Sequence, residues 1–309
     1  MSKTEKKSFM NNKMQKISTD TPQKILVTGA KGMLGCDLCH ILSDIGHNVI
    51  ETDSNTLNIV DKKMVNDVLY TERPEIIIHC AAYTNVDAAE EDLTNAHLVN
   101  VNGTENLAKS CAQIGATMLY ISTDYVFDGT KTSPYEPKDE TNPINNYGLT
   151  KLYGELSVKS NLNQYYICRT SWLYGYYGKN FVETILSLAK KANIEKKTLK
   201  VVNDQVGCPT WTVELSYAIA KILHGKHRQN NLDFSFGTYH LCCGGSATWY
   251  DFAKEVLELA NIDSSILIPC CTDDFPRLAK RPYYSVMNNH QICRHWKEAL
   301  KDYMNSRAS

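Results

Sequence analysis

The sequence predicts an α/β protein built on a doubly wound parallel sheet, with a smaller C-terminal lobe. Three observations lead there. Short apolar runs alternate with segments of helical period over the first half of the chain. The runs are almost continuously apolar, as strands covered on both faces must be. The first run stops at a glycine-rich loop that opens a helix. Segments in this order fold as right-handed βαβ units, the Rossmann-type arrangement.

The elements follow in order. Lys24–Thr28 (KILVT) reads as the first strand. Met33–Ile45 carries Leu34, Leu38, Ile41, Leu42 and Ile45 at helical spacing. Asn48–Thr52 is a second strand, and Asp61–Glu72 is a helix with Asp61 as N-cap. Glu75–Cys80 is a third strand, Asn95–Ile114 a long helix and Thr117–Ser122 a fourth strand. Tyr147–Ser160 is helical and Gln164–Arg169 is a fifth strand. Past Thr170 the alternation loosens. Asn180–Ala192 and Thr212–Leu223 read as helices around a strand at Leu199–Val202. Thr248 opens a helix reaching Asn261, Ile268–Met287 is irregular around Pro269, Pro276 and Pro282, and a last helix covers Asn289–Met304. The expected organisation is a dinucleotide-binding domain over 24–170 with return segments near 212–243. A substrate-binding lobe is expected from 171–211 and 244–305. Residues 1–23, with five lysines and few apolar residues, read as a disordered leader.

Composition narrows the function. In 309 residues, Lys and Arg total 33 and Asp and Glu 34, so the net charge of −1 gives no overall field for nucleic acid or an anionic membrane. Apolar runs such as Ile76–Ile78 are far short of the roughly 20 residues that span a bilayer. The polar, lysine-bearing N-terminus has no secretory pattern. Eleven cysteines, odd in number and scattered, read as free thiols in a cytoplasmic protein. Cys36 and Cys39 lie three apart on a helix, where they share a face without a partner pair. No metal site is predicted from such spacing.

Gly29-Ala-Lys-Gly32-Met-Leu-Gly35 lies between the first strand and its helix. Gly29 permits a tight turn, Gly32 lets backbone approach a pyrophosphate, and Gly35 lets helix and strand pack closely. The free N–H groups of Met33 and Leu34 then face the phosphates. This is a dinucleotide site. At the end of the second strand, Asp53 favours a free ribose hydroxyl and therefore NADH. Lys31 in the loop could meet a 2′-phosphate and therefore favours NADPH. The two signals oppose each other, and both cofactors stay open.

Tyr147-Gly-Leu-Thr-Lys151 places a phenol and an ammonium at i and i+4 of one helix. A nearby cation favours the phenolate and so lowers a tyrosine pKa towards neutrality, which suits a general acid. The fourth strand ends in Ser122-Thr123-Asp124, at the sheet edge where ligands gather. A Thr123 hydroxyl there can hydrogen-bond an oxygen that gains charge during hydride transfer. Thr123, Tyr147 and Lys151 are therefore the expected catalytic set.

Beyond the glycine loop, the chain carries HCAAYTNVDAAE (79–90), STDYVFDG (122–129), YGLTK (147–151), RTSWLYG (169–175), DQVGCPT (204–210) and RLAKRPYYS (277–285). With these motifs it resembles the extended short-chain dehydrogenases/reductases, and among them the dTDP-4-dehydrorhamnose reductase family, over nearly all residues past the leader. The resemblance implies reduction of the C4 ketone of a nucleotide-linked 4-keto-6-deoxy-hexose with NADH or NADPH. It implies that Tyr147 gives the proton, Thr123 contacts the carbonyl, and Lys151 holds the nicotinamide ribose. Ala81, Ala82 and Tyr83 would line the cofactor, with Asn100 supporting them. Asp124, Trp172 and Asn180 would face the sugar nucleotide. Arg277, Lys280 and Arg281 would meet its diphosphate. The resemblance allows a homodimer and Mg²⁺ at a dimer contact.

The chain departs from the family in having no basic residue near Ser54 and no acid at Asn58, which leaves the NADPH preference unsettled. Two other readings compete. A dehydratase would carry Glu where Tyr125 stands. A non-catalytic subunit resembling the β subunit of methionine adenosyltransferase would keep a Tyr-x-x-x-Lys pair without the full motif set.

Overall fold

The computed structural model describes residues 21–224, 226–227 and 232–308. The expected leader lies largely outside these residues. A six-stranded, all-parallel sheet forms the centre. Its first five strands are β1 Lys24–Thr28, β2 Asn48–Thr52, β3 Ile76–His79, β4 Thr117–Thr123 and β5 Tyr165–Thr170. A sixth strand, Gly237–His240, pairs in parallel with β5. The order is β2-β1-β3-β4-β5 and then the sixth strand. The chain therefore reverses direction between β1 and β3, and the loops after these two strands diverge to opposite faces. A ligand crevice forms outside the strand ends at such a point.

The strands are buried because both faces are covered. Ile25, Val27, Ile76, Ile78 and Leu119 face one apolar layer, and Leu26, Ile77, Met118, Tyr120 and Ile167 face the other. The first layer is continuous with residues from the C-terminal segments, including Trp211, Phe252, Trp296 and Tyr303. The sequence around Gly237–His240 shows little apolar alternation. Its place in the sheet comes from pairing with β5, which local pattern does not report.

Several helices begin where a side chain caps them. Asp61 accepts from the Lys63 and Met64 amides, Asn145 from Gly148, and Thr248 forms a capping box with Asp251. Two expected helices differ. The long helix over 95–114 is divided into Leu93–His97, a π-helical segment Leu98–Gly103 and Thr104–Ile114. Such bulges often re-aim a side chain, and here Asn100 turns inward. The last helix starts at Trp296, not at Asn289. His290 and Gln291 have φ of 45° and 60°, which no α-helix accommodates, and the Asn289 amide is bonded to the Cys242 and Cys293 carbonyls.

Candidate active site

A cleft of about 540 Å³ opens at the carboxyl ends of the strands. The glycine loop, the ends of β3, β4 and β5, the helix Asn146–Asn161 and Trp249 enclose it. Of the expected residues, Gly29, Gly32, Met33, Leu34, Gly35, Ala81, Ala82, Thr123, Asp124, Tyr147, Lys151 and Trp172 line this one cleft.

The glycine loop fits a dinucleotide on its own geometry. Gly29 has φ of 66°, and a Cβ on it would lie 2.8 Å from the Ala81 amide nitrogen. A Cβ on Gly35 would lie 2.2 Å from the Gly29 carbonyl oxygen. The loop therefore folds tightly on itself, and the helix Met33–Ile45 begins with no side-chain cap and no acidic residue in its first turn. Its N-terminal amides are left to an anion.

The loop after β3 is held from beneath. Asn100 accepts from the Tyr83 amide at 2.8 Å and donates to the Tyr83 carbonyl at 3.1 Å and to Thr150 at 3.0 Å. Asn100 is thus a backbone clamp joining this loop to the helix bearing Tyr147. Tyr83 itself is outside the cleft lining, where Thr84 and Val86 stand instead. That corrects the expectation for its side chain.

Thr123 donates to Asp124 Oδ1 at 3.0 Å. The other Asp124 oxygen closes no well-aligned hydrogen bond, although the buried Ser285 hydroxyl sits close enough to favour its charged form. Burial pushes this carboxyl up to about 6. Lys151 is buried, donates through Nζ to the Ile121 carbonyl at 2.6 Å, and lies 4.0 Å from the centre of the Tyr120 ring. Desolvation pushes its ammonium down to about 7. Tyr147 was expected to have a lowered pKa. Instead burial raises it to about 12, against the opposing pull of the Thr123 hydroxyl. The Lys151 cation is turned to the β4 backbone, so desolvation decides the sign. Tyr147 is a neutral phenol at pH 7 and holds a proton to give.

Three expectations are revised. Asn180 does not line the cleft. It caps the helix Phe181–Glu195, accepting from Glu183 and donating to the Gly175 carbonyl. Arg277, Lys280 and Arg281 line a second cavity of about 590 Å³, together with Phe275 and Tyr283. Arg281 is committed to Asp87 through two hydrogen bonds of 2.9 Å, and Arg277 lies 4.0 Å from the same carboxylate. The Lys280 carbonyl meanwhile accepts from Asn145, the cap of the Tyr147 helix. Lys31 and Asp53 do not oppose each other. They form one ion pair.

Sequence reasoning missed Ser122, Tyr125 and Trp249 as cleft residues. Tyr125 is edge-on to Tyr147 with centroids 5.8 Å apart. Ser122 donates at 2.6 Å to Glu155, which also binds buried Arg169 through two contacts of 2.8 Å. Adjacency to Thr123 could have indicated Ser122. Nothing local marks Trp249, which arrives from 77 positions beyond Trp172.

The profile of the RmlD substrate binding domain family matches residues 23–308. The chain belongs to this family. Among RmlD relatives, it is 38% identical to the spore coat polysaccharide biosynthesis protein SpsK of Bacillus subtilis, over 93% of this chain and 98% of that one. It superposes on a dTDP-4-dehydrorhamnose reductase from Clostridium acetobutylicum with a TM-score of 0.86 and 43% identity, covering 93% of this chain and all of the other. The Bacillus anthracis dTDP-4-dehydrorhamnose reductase in complex with NADP gives 0.84 at 37% identity, over 92% and 99%. Among the described residues of this RmlD chain, no three His, Cys, Asp or Glu side chains are grouped to hold a metal ion, so the Mg²⁺ expectation finds no site. No described helix is long and apolar enough to cross a membrane.

Proposed function

We propose that this protein is an NAD(P)H-dependent reductase of dTDP-4-dehydro-L-rhamnose, forming dTDP-L-rhamnose. The observation that carries the reading is the convergence of Thr123, Tyr147 and Lys151 on the cleft that also holds the glycine loop. A dihydronicotinamide, when bound, supplies the hydride for the C4 carbon. Tyr147 gives its proton to the C4 oxygen, which becomes the hydroxyl. The raised phenol pKa keeps that proton in place at neutral pH until the oxygen becomes basic. Thr123 hydrogen-bonds the same oxygen and orients it. Lys151, on the cleft wall one helical turn beyond Tyr147, would hold the ribose hydroxyls and lend a cation when protonated. Asp124 and Trp172 face the sugar.

Two features of the cleft favour reduction over water elimination. Tyr125 occupies the place of the acid a dehydratase would need, and Asp124 is engaged by Thr123. The nucleotide part of the substrate extends to the cavity of Phe275, Arg277 and Tyr283, with Arg281 serving as the brace between Asp87 and that loop. The relative with NADP supports NADPH as a cofactor, with NADH open. A cytoplasmic location is in keeping with the eleven free cysteines. The expected homodimer would cover exposed Leu93, Leu98, Tyr153 and Leu156, and light scattering in solution tests it.

The deciding experiment is NAD(P)H oxidation with dTDP-4-keto-L-rhamnose generated in situ. Stoichiometric cofactor oxidation and a dTDP-L-rhamnose product support the reading. Loss of absorbance without that product, or none at all, overturns it.

A further inference from the structure

Trp172 stands in an unusual backbone conformation. Its φ is +47°, a region that bulky residues seldom occupy. Something in the surrounding fold must hold it there. Its indole stacks on Trp249, with centroids 3.5 Å apart and planes within 4°. So small a separation leaves almost no offset, and unconstrained aromatic pairs favour offset or edge-on geometry.

The other jaw is Gly207. A Cβ there would lie 2.4 to 2.7 Å from three adjoining atoms of the Trp172 indole. Trp249 already fills one face of that ring at 3.5 Å, so Gly207 must press from the other side. The two jaws are tied together. Gly207 pairs with Ala247 and Val206 with Thr248 in a short antiparallel ladder, and Thr248 caps the helix that Trp249 begins. The Trp249 Nε1 donates to Gln205 at 3.1 Å, and Gln205 donates on to Thr272 at 3.0 Å. Both indoles line the cleft.

We propose that Trp249 is a positioning residue, clamping Trp172 against Gly207 so that the aromatic wall on the substrate side of the cleft is set before substrate arrives. This rests on the reductase reading given above. The sugar nucleotide then meets a fixed surface, and no ordering of the Trp172 side chain is needed on binding. The cofactor side is built from other elements and is independent of the clamp.

The test uses the full chain and the variants Trp249→Ala, Trp249→Phe and Gly207→Ala. Two indoles stacked at this distance couple their transitions strongly, and a twist between their in-plane axes turns that coupling into an exciton couplet in circular dichroism. We expect the couplet in the wild type and its loss in both Trp249 variants. KM for the dTDP-4-keto sugar should rise about fivefold or more in Trp249→Ala, with kcat within about threefold of wild type. NADPH affinity should be unchanged, and Trp249→Phe should recover part of the KM. Gly207→Ala keeps Trp249 yet displaces the Trp172 ring, and should raise KM in the same way. The clamp is overturned if KM in Trp249→Ala stays within about twofold. It is also overturned if KM, kcat and NADPH affinity all worsen together, as a merely structural role requires, or if the couplet survives in Trp249→Phe. A wild type with the couplet but no turnover would sink the reductase reading instead.

Discussion

Lys31 and Asp53 form a salt bridge between the glycine loop and the end of β2. Asp53 Oδ1 accepts from the Asn55 and Thr56 amides, while Oδ2 faces the lysine. The pair holds the carboxyl at about 2, first through the Lys31 hydrogen bond. One charge that would favour NADPH and one that would favour NADH thus neutralise each other where the adenosine ribose is expected.

Asp53→Asn keeps the Oδ1 acceptor and frees Lys31. The NADPH-to-NADH ratio of kcat/KM should rise by up to about fivefold, the scale of an exposed ion pair. Parallel titration of the two cofactors at low salt measures it. An unchanged ratio would show that the pair does not read the ribose.

Tyr147→Phe removes the phenol proposed as proton donor while leaving ring packing against Tyr125 intact. Turnover should fall by roughly 10² to 10⁴, with NADPH binding by fluorescence almost unaffected. Activity within a few-fold of wild type would reassign the acid.

Asp124→Asn should stabilise the protein only where the wild-type carboxyl is ionised, above its folded pKa of about 6. The folded carboxyl titrates at about 6, raised by burial from an ordinary value near 3.8. Between those values the folded state holds a proton that the unfolded chain has lost. Stability therefore falls as pH rises through the window, and the penalty is complete above it. The variant should melt higher than wild type at pH 8 and equally at pH 4, while losing activity with the sugar substrate. Equal melting at both pH values would mean the carboxyl is not held back by burial.

Glu155→Ala leaves Arg169 as an uncompensated buried cation. Burial alone would raise the Glu155 pKa, but the Arg169 hydrogen bonds and charge, with the Ser122 hydroxyl and Lys159, together hold it low. Breaking such a pair costs about 3–5 kcal/mol, which urea denaturation resolves. A loss below about 1 kcal/mol would place the pair among those that surface screening makes weak.

Much of the architecture was legible because it is local. Met33–Ile45, Asn48–Thr52 and Thr212–Leu223 have the bounds that periodicity and caps predict. The glycine loop and the Tyr147–Lys151 pair could be read because a turn geometry and an i, i+4 spacing are properties of short segments. Asn180 and Arg281 were misplaced for the opposite reason. Each is a residue type suited to a ligand, and each is taken by a neighbour: Asn180 by its own helix terminus, and Arg281 by Asp87, 194 positions away.

The sequence by itself determined the parallel sheet, the glycine loop and the placing of Tyr147 and Lys151 one turn apart on one helix. These follow from backbone sterics, hydrophobic period and side-chain chemistry. Only the tertiary structure decided the electrostatics and the substrate wall. The Tyr147 phenol is raised, not lowered, because burial depends on everything packed around it. Trp172 meets Trp249 and Gly207 because a short antiparallel ladder between residues 206–207 and 247–248 brings them to one ring. Desolvation and long-range contact are sums over the whole fold, and no segment of the chain carries them alone.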